Sequence, residues 1–449
     1  MDHENSFGWT VAITSLAFVI AQLDVSIVNI ALPQIALTYK ANVSTLQWVI
    51  DAYTLAFAVL MLSAGNLSDL LGAKRIFQLG MFIFGIASVG CGFAATSTVL
   101  IGFRVLQGIG AATMIPSSLA ILNQTFAHDP PKRARAVGLW TAAGSAAIAA
   151  GPVVGGLIMQ ISDWRFIFYV NVPLCLAGIL LSFRLPQKSS PSKRSFDIPG
   201  QMTWMLSVTA LIAVIIEWPK LGFKDPLIFG GLLFSAVMLV IFLILEKKVK
   251  FPMLPLHLFQ SANFNLLLSV GAVLNGAYYG TIFILSLYLQ NVLHYPSLSA
   301  GLAFLPLTAG FVISNLLSGR IINKFGIRRP ILIGLAMFAI GFCGLFITKA
   351  DTPYWQLFIP FLVIPMGMGL AVPSMTTGIL ASVDKSLSGT ASAALNTVRQ
   401  TAGAIGVASF GAMAVGGGYA ILHAITITAV IAITFTFLIL CLCFKYLKA

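Results

Sequence analysis

The chain is built almost entirely from apolar runs of about 17 to 25 residues, each long enough to cross the hydrocarbon of a bilayer as a helix. Fourteen runs can be read, at 9–33, 45–64, 75–95, 98–122, 134–160, 166–184, 198–218, 226–246, 264–290, 298–322, 329–348, 355–377, 389–413 and 420–444. Of 449 residues, 58% are hydrophobic and 9% are charged, whereas a soluble domain carries roughly 25% charged residues. The sequence therefore predicts an all-α polytopic membrane protein. The opening MDHENS lacks a basic segment and runs straight into a full-length span, so the first helix is expected to remain as an anchor. Cys91, Cys175, Cys343, Cys441 and Cys443 have no partners at metal-ligand spacing and read as membrane-buried thiols; no metal or cofactor is expected.

The net charge of +13 is explained by where the charges fall. With both termini in the cytoplasm, inside loops hold nineteen of the 26 Lys and Arg residues, among them Lys74, Arg75, Arg135, Arg328 and Arg329. This is the positive-inside pattern, and basic loops beside anionic headgroups account for the high pI without nucleic acid.

Two acids break the apolar pattern, Asp24 in WTVAITSLAFVIAQLDVSIVNIALP and Asp51 in LQWVIDAYTLAFAVLML. A charge at such depth costs at least a few kcal/mol, so an intramembrane acid marks a functional site by default. Asp24 lies about 15 residues into a helix entering from the cytoplasm, and Asp51 and Arg104 each about six into helices entering from outside, so the three are expected to share a depth at 1.5 Å per residue. An acid beside an arginine in low dielectric can be tipped between protonation states by a bound molecule, as exchange of protons for cargo requires. A structural ion pair is the other reading.

The chain repeats itself. GNLSDLLGAKRIFQLG (65–80) aligns with GRIINKFGIRRPILIG (319–334) at an offset of 254 residues, matching Gly65 with Gly319, Asp69 with Asn323, Gly72 with Gly326, and Lys74 and Arg75 with Arg328 and Arg329. Two halves related in this way are a transporter architecture with cargo bound between them. The offset leaves room for two extra spans, which follow the polar linker LPQKSSPSKRSFDIPG (185–200) and precede KFPMLPLHLF (250–259). The expected organisation is a six-helix bundle over 1–185, a linker with two helices over 186–259, and a second six-helix bundle over 260–449.

With LDVSIVNIALP (23–33), GNLSDLLGAKR (65–75), RVLQGIGAA (104–112), AVGLWTAAGSAAIAAGPVVGG (136–156) and WRFIFYVNVP (164–173) in order, the chain resembles the major facilitator superfamily, in particular its fourteen-helix drug:proton antiporter branch. The resemblance implies the major facilitator fold, proton coupling at Asp24, relay or cargo contact at Asp51, and gating or relay at Arg104 and Gln107. It also implies a conformational switch at Gly65, Asp69, Gly72, Lys74, Arg75 and Arg135, and an antiporter motif at Gly151, Pro152, Gly155 and Gly156. Leu70, Ala73 and Ala147 depart from the usual pattern.

Asn29, Tyr53, Gln107, Tyr278 and Asn396 are the candidates for cargo contact, with interhelical hydrogen bonding or packing as the alternative for each. Arg399 reads as structural, and the second-half spans contain no acid. The five histidines are scattered and no GxxxxGK[ST] loop occurs, so an enzyme is not expected. The sequence reads as a monomeric transporter of the bacterial plasma membrane, exporting a hydrophobic small molecule against protons. A same-fold carrier of a dedicated siderophore, metabolite, sugar or lysolipid is the alternative.

Overall fold

The computed structural model describes residues 3–185, 197–249, 252, 254–383 and 388–447, and the regular elements within them are all helical. The first part contains α1 (His3–Tyr39), α2 (Val43–Leu71), α3 (Ala73–Phe93), α4 (Ser97–Thr125), α5 (Pro130–Ile161), and α6 (Phe166–Tyr169) leading directly into α7 (Asn171–Ser182). Next come α8 (Ile198–Leu221) and α9 (Pro226–Lys248). The last part contains α10 (Ala262–Leu287), α11 (Ser297–Ala303), α12 (Leu305–Phe325), α13 (Arg328–Cys343), α14 (Tyr354–Ala381), α15 (Ser388–Met413) and α16 (Gly418–Tyr446). Most of the 185–200 linker, Lys250, Phe251, Met253 and residues 384–387 lie outside the described residues.

Eleven helices are long and apolar enough to cross a membrane, or twelve with α5 counted as one span bent by 41°. The fourteen runs of the sequence thus reduce to eleven or twelve on these criteria. The run at 166–184 is a short helix broken at Val170, and the run at 389–413 is α15, diluted by Asn396, Arg399 and Gln400.

Burial ranks the helices. The most apolar window of α1 is 72% buried and that of α9 is 17% buried, so α1 is central and α9 lies at the periphery. Helix α9 is apolar all round, with Leu227, Phe229, Leu233 and Phe234 exposed, as a helix facing lipid must be. It is tied to α8 by reciprocal bonds, Ser207 Oγ donating to the Ser235 carbonyl and Ser235 Oγ to the Ser207 carbonyl, each at 2.9 Å. Helix α8 rests against α2 and α15, with Ile212 and Ile216 packed among Leu55, Val59, Ala404 and Ala408. Trp48 Nε1 donates to Glu217 at 2.9 Å, and Gln201 Nε2 to the Val59 carbonyl at 2.6 Å.

The internal repeat extends into three dimensions. Gly72 and Gly326 both follow a helix with φ of +95° and +71°, a region open to glycine at little cost. Lys74 donates to the carbonyls of Phe183 and Leu185 at 3.1 and 2.7 Å. Its repeat partner Arg328 donates to the Phe444 carbonyl at 2.5 Å. Each basic residue thus binds carbonyls at the end of the last helix of its own half, where a cation also suits the helix dipole. Gly80 and Gly334 mark matching helix crossings. A Cβ on Gly80 would lie 2.6 Å from Thr113 Oγ1, and one on Gly334 2.6 Å from the Gly367 carbonyl.

Gly334→Ala should force α13 off α14 and cost about 1–3 kcal/mol of stability, read as a lower unfolding temperature of the purified protein. Gly319→Ala, where a Cβ meets nothing within 4 Å, should leave that temperature unchanged.

Candidate functional site

The structure gathers the first-half charges Asp24 and Arg104 into one buried network. Asp24 on α1 pairs through Oδ2 with Arg104 Nη1 on α4, and both side chains are closed off from solvent. The second carboxylate oxygen accepts from Gln107 Nε2 at 3.2 Å and Asn171 Nδ2 at 3.0 Å. Arg104 also donates through Nε to the Val49 carbonyl at 2.9 Å and through Nη1 to Gln107 Oε1 at 2.8 Å. Its guanidinium lies 4.4 Å from the Tyr53 ring centroid. Gln107 Nε2 donates onward to Ser88 Oγ at 2.8 Å. A buried ion pair is tolerated when its remaining donors and acceptors are satisfied in this way.

Local sequence makes this possible. Arg104 and Gln107 share one face of α4 at i, i+3 spacing, and Gly108 beside them lets α2 approach, since a Cβ there would lie 2.7 Å from that of Ala56. The break between α6 and α7 presents Phe168, whose ring lies 5.9 Å from the Arg104 guanidinium carbon, and Asn171 to the same centre.

Asp51 lies on the same stretch of α2 and outside this network. Val49 and Tyr53 contact Arg104; Asp51 is two residues from each and, at about 100° per residue, faces the opposite way. One turn to either side, Gln47 donates to the Ala408 carbonyl at 2.6 Å and Leu55 packs with Ala404 and Ala408. Asp51 therefore faces the seam between α2 and α15. It is fully buried, and neither carboxylate oxygen has a hydrogen-bond partner.

A cavity lies between the two halves, walled by Val25, Ser26 and Asn29 of α1, Ser145, Ile148 and Pro152 of α5, Tyr278, Tyr279 and Ile282 of α10, and Phe304, Leu307 and Phe311 in or beside α12. Its walls carry hydroxyl and amide groups and no formal charge. Of the expected cargo contacts, Asn29 and Tyr278 line it. Tyr53 and Gln107 belong instead to the ion-pair network, and Asn396 sits part-exposed on α15 away from these walls.

The antiporter-motif residues Gly151, Pro152, Gly155 and Gly156 connect the cavity to both halves. A Cβ on Gly151 would lie 2.7 Å from that of Ser26, and one on Gly155 2.9 Å from Ile27 Cγ1. A Cβ on Gly156 would lie 2.8 Å from Leu298 Cα, across on α11. In the switch loop, Gly65 is open, Arg75 is exposed, and the exposed Arg135 lies 5.5 Å from the Phe7 ring centroid. The Asp69 side chain lies outside those described.

An all-helical chain with eleven or twelve candidate spans, a neutral cavity walled by α1, α5, α10 and α12, and a buried ion pair beside it has the architecture of a transporter. The sequence matches the Major Facilitator Superfamily over residues 14–407, and the chain belongs to that family, whose members are transporters rather than enzymes. It is 36% identical over 409 residues to the methylenomycin A resistance protein of Bacillus subtilis, covering 91% of this chain and 88% of that one. It is 33% identical over 405 residues to the multidrug resistance protein Stp of Mycobacterium tuberculosis, covering 90% and 75%. The nucleoside transporter NupG shares the fold at 13% identity, with a TM-score of 0.68 over 97% of this chain and 100% of that one.

Asn171 and Ser88 join the network without standing among the sequence candidates. Asn171 carried a usable signal, as a lone amide inside the apolar stretch WRFIFYVNVP; a serine such as Ser88 is too common in membrane helices to stand out.

Arg104→Gln should leave Asp24 as an uncompensated buried charge and destabilise the fold by about 3–5 kcal/mol. The double change Asp24→Asn, Arg104→Gln should be milder than either single change. Thermal unfolding of the four proteins checks this as a double-mutant cycle.

Proposed function

We propose that the protein exports hydrophobic, drug-like molecules across the bacterial inner membrane in exchange for inward protons, by alternating access to the cavity between its halves. Drug export is supported by relatives named for methylenomycin A resistance and multidrug resistance. The single observation that carries the proton half is the buried Asp24–Arg104 pair on the helix that also walls the cavity.

In this reading the chain crosses the membrane fourteen times, with α6–α7 and α15 completing the count. Both termini face the cytoplasm, where the basic loops gather. Residues 1–185 and 260–449 form the two bundles, 186–259 carries the linking pair α8 and α9, and the unit works as a monomer. Hydrogen bonds joining the halves lie in the later part of α1 and the first turns of α2. Ser286 Oγ donates to the Asn29 carbonyl at 2.5 Å, Gln290 Nε2 to the Ile30 carbonyl at 3.2 Å, and Gln47 Nε2 to the Ala408 carbonyl at 2.6 Å. In the proposed orientation these bonds seal the outer face.

Asp24 and Asp51 then take different parts. Asp24 is the acid that exchanges: cargo bound beside α1 favours the carboxylate paired with Arg104 and two amides, and departure of cargo lets Asp24 take up a proton. An ionised Asp51 would lack any partner at a cost of several kcal/mol, so Asp51 is assigned a proton of its own in this outward-sealed state. Opening of the α2–α15 seam would expose it to the outer water. The loop residues Gly65, Asp69, Gly72, Lys74, Arg75 and Arg135 act as the latch at the opposite face, and Gly151, Pro152, Gly155 and Gly156 are the pivot against α1 and α11.

In vesicles carrying a proton gradient, Asp24→Asn should reduce uphill transport of a relative's drug, such as methylenomycin A, to the level of protein-free vesicles. Uphill flux at the unmutated rate would sink the coupling role of Asp24. Asp51→Asn should uncouple transport from external pH while leaving drug binding in place.

A further inference from the structure

Arg104 is buried on α4 and Arg399 is part-exposed on α15, and the structure treats them in opposite ways. Arg104 has a carboxylate, a carbonyl, an amide oxygen and a ring against it. Arg399 on α15 has no carboxylate partner among the described residues, and its Nε is buried without a hydrogen-bond partner. An arginine keeps its charge, and an unpaired charge at membrane depth is expensive. A guanidinium retained only for packing would be expected to find internal acceptors, as Arg104 does.

Among the described residues, the surroundings of Arg399 offer it none. A Cβ on Gly271 of α10 would lie 3.2 Å from Arg399 Cγ and 3.1 Å from Met375 Sδ of α14, which places the side chain between α10 and α14. Asn275 of α10 gives its amide N–H to the Gly271 carbonyl at 2.8 Å, and Tyr279 lies about one turn beyond Asn275 on the same helix. Beyond residue 260 the sequence has two acids, Asp351 and Asp384. Asp351 precedes α14 at the opposite end of that helix from Met375. Asp384 lies outside the described residues.

Arg399 is not itself a wall of the cavity, but its helix borders one. Gly403, one turn further along α15, abuts the Tyr279 ring, with a Cβ there 3.1 Å from Cδ2, and Tyr279 is a cavity wall. The walls carry no acid, and the Asp24 carboxylate is turned away into its own network. The charge offered to a molecule at this edge of the cavity is thus positive, beside an apolar and aromatic surface.

We propose that Arg399 is a cargo-recognition residue and that the preferred cargo is an amphiphile with one negative charge, its carboxylate paired with the Arg399 guanidinium and its apolar body against Tyr278, Ile282, Phe304 and Phe311. This rests on the reading of the chain as an exporter, and it narrows the cargo from hydrophobic compounds in general to organic anions. Lipophilic cations meet no counter-charge here.

The test is equilibrium binding to the purified full-length protein in neutral detergent, without any gradient, so that it stands or falls apart from proton coupling. Three probes of matched apolar body are 2-naphthoate, its methyl ester, and 2-naphthylmethyl-trimethylammonium, each titrated calorimetrically against a detergent blank. Naphthoate should bind at least about tenfold more tightly than the ester or the cation, as a charge-assisted bidentate pair allows. Arg399→Gln should abolish that preference and leave ester binding as in the unmutated protein, and Arg399→Lys, which keeps the charge and loses the fork, should retain part of it. The proposal is overturned if naphthoate does not bind, if ester or cation binds as tightly, or if the preference survives Arg399→Gln. Should Arg399→Gln not fold, an unchanged preference in Arg399→Lys overturns it equally.

Discussion

The ion pair between Asp24 and Arg104 organises the amino-terminal bundle. Burying both charges would be prohibitive without satisfied partners, and the partners come from α1, α2, α3, α4 and α7, with the ring of Phe168 on α6 alongside. Each of those helices is fixed in rotation by the group it contributes. Much of the surrounding sequence serves the same end. Gly108 lets α2 come close enough for the Val49 carbonyl and the Tyr53 ring to reach Arg104, and Gly110 lets α3 approach α4, a Cβ there falling 2.8 Å from Phe84 N. The small residues of RVLQGIGAA set the distances at which its polar residues work.

Helix α1 ties this centre to the cavity. Asp24 faces the ion-pair network while Val25, Ser26 and Asn29 face the space between the halves. The same helix packs on Gly151 and Gly155, and the next residue along α5, Gly156, touches α11 of the other half. A molecule entering the cavity thus presses on the helix that holds Asp24 and on the contact between α5 and α11. In the proposed antiport this shared element is what would couple cargo to protons.

Much of this was legible in the sequence. Asp24, Arg104 and Gln107 stand out because a polar group in a long apolar run must find a partner, and these three found each other. The repeat was legible in its loops, where Gly72 and Gly326 need a backbone that other residues resist, and it proved to hold in the helix crossings as well. The level of Asp51 followed from counting residues, but its direction did not, since a two-residue step from Val49 and Tyr53 reverses the face presented. For Tyr53, a cargo candidate, packing is the stronger reading from sequence, and the structure places it beneath Arg104. The spans at 166–184 and 389–413 were read from composition alone, where a break at Val170 and the polar centre of α15 weaken the case on length and apolarity.

The central claim is that cargo and proton occupancy oppose one another in a single protein. The most direct measurement is proton release into weakly buffered detergent when ligands are added to the purified protein, with Asp24→Asn as the comparison. The account expects acidification on ligand addition that saturates with binding and is lost in the variant. Binding without any release of protons, or release undiminished in Asp24→Asn, would contradict it.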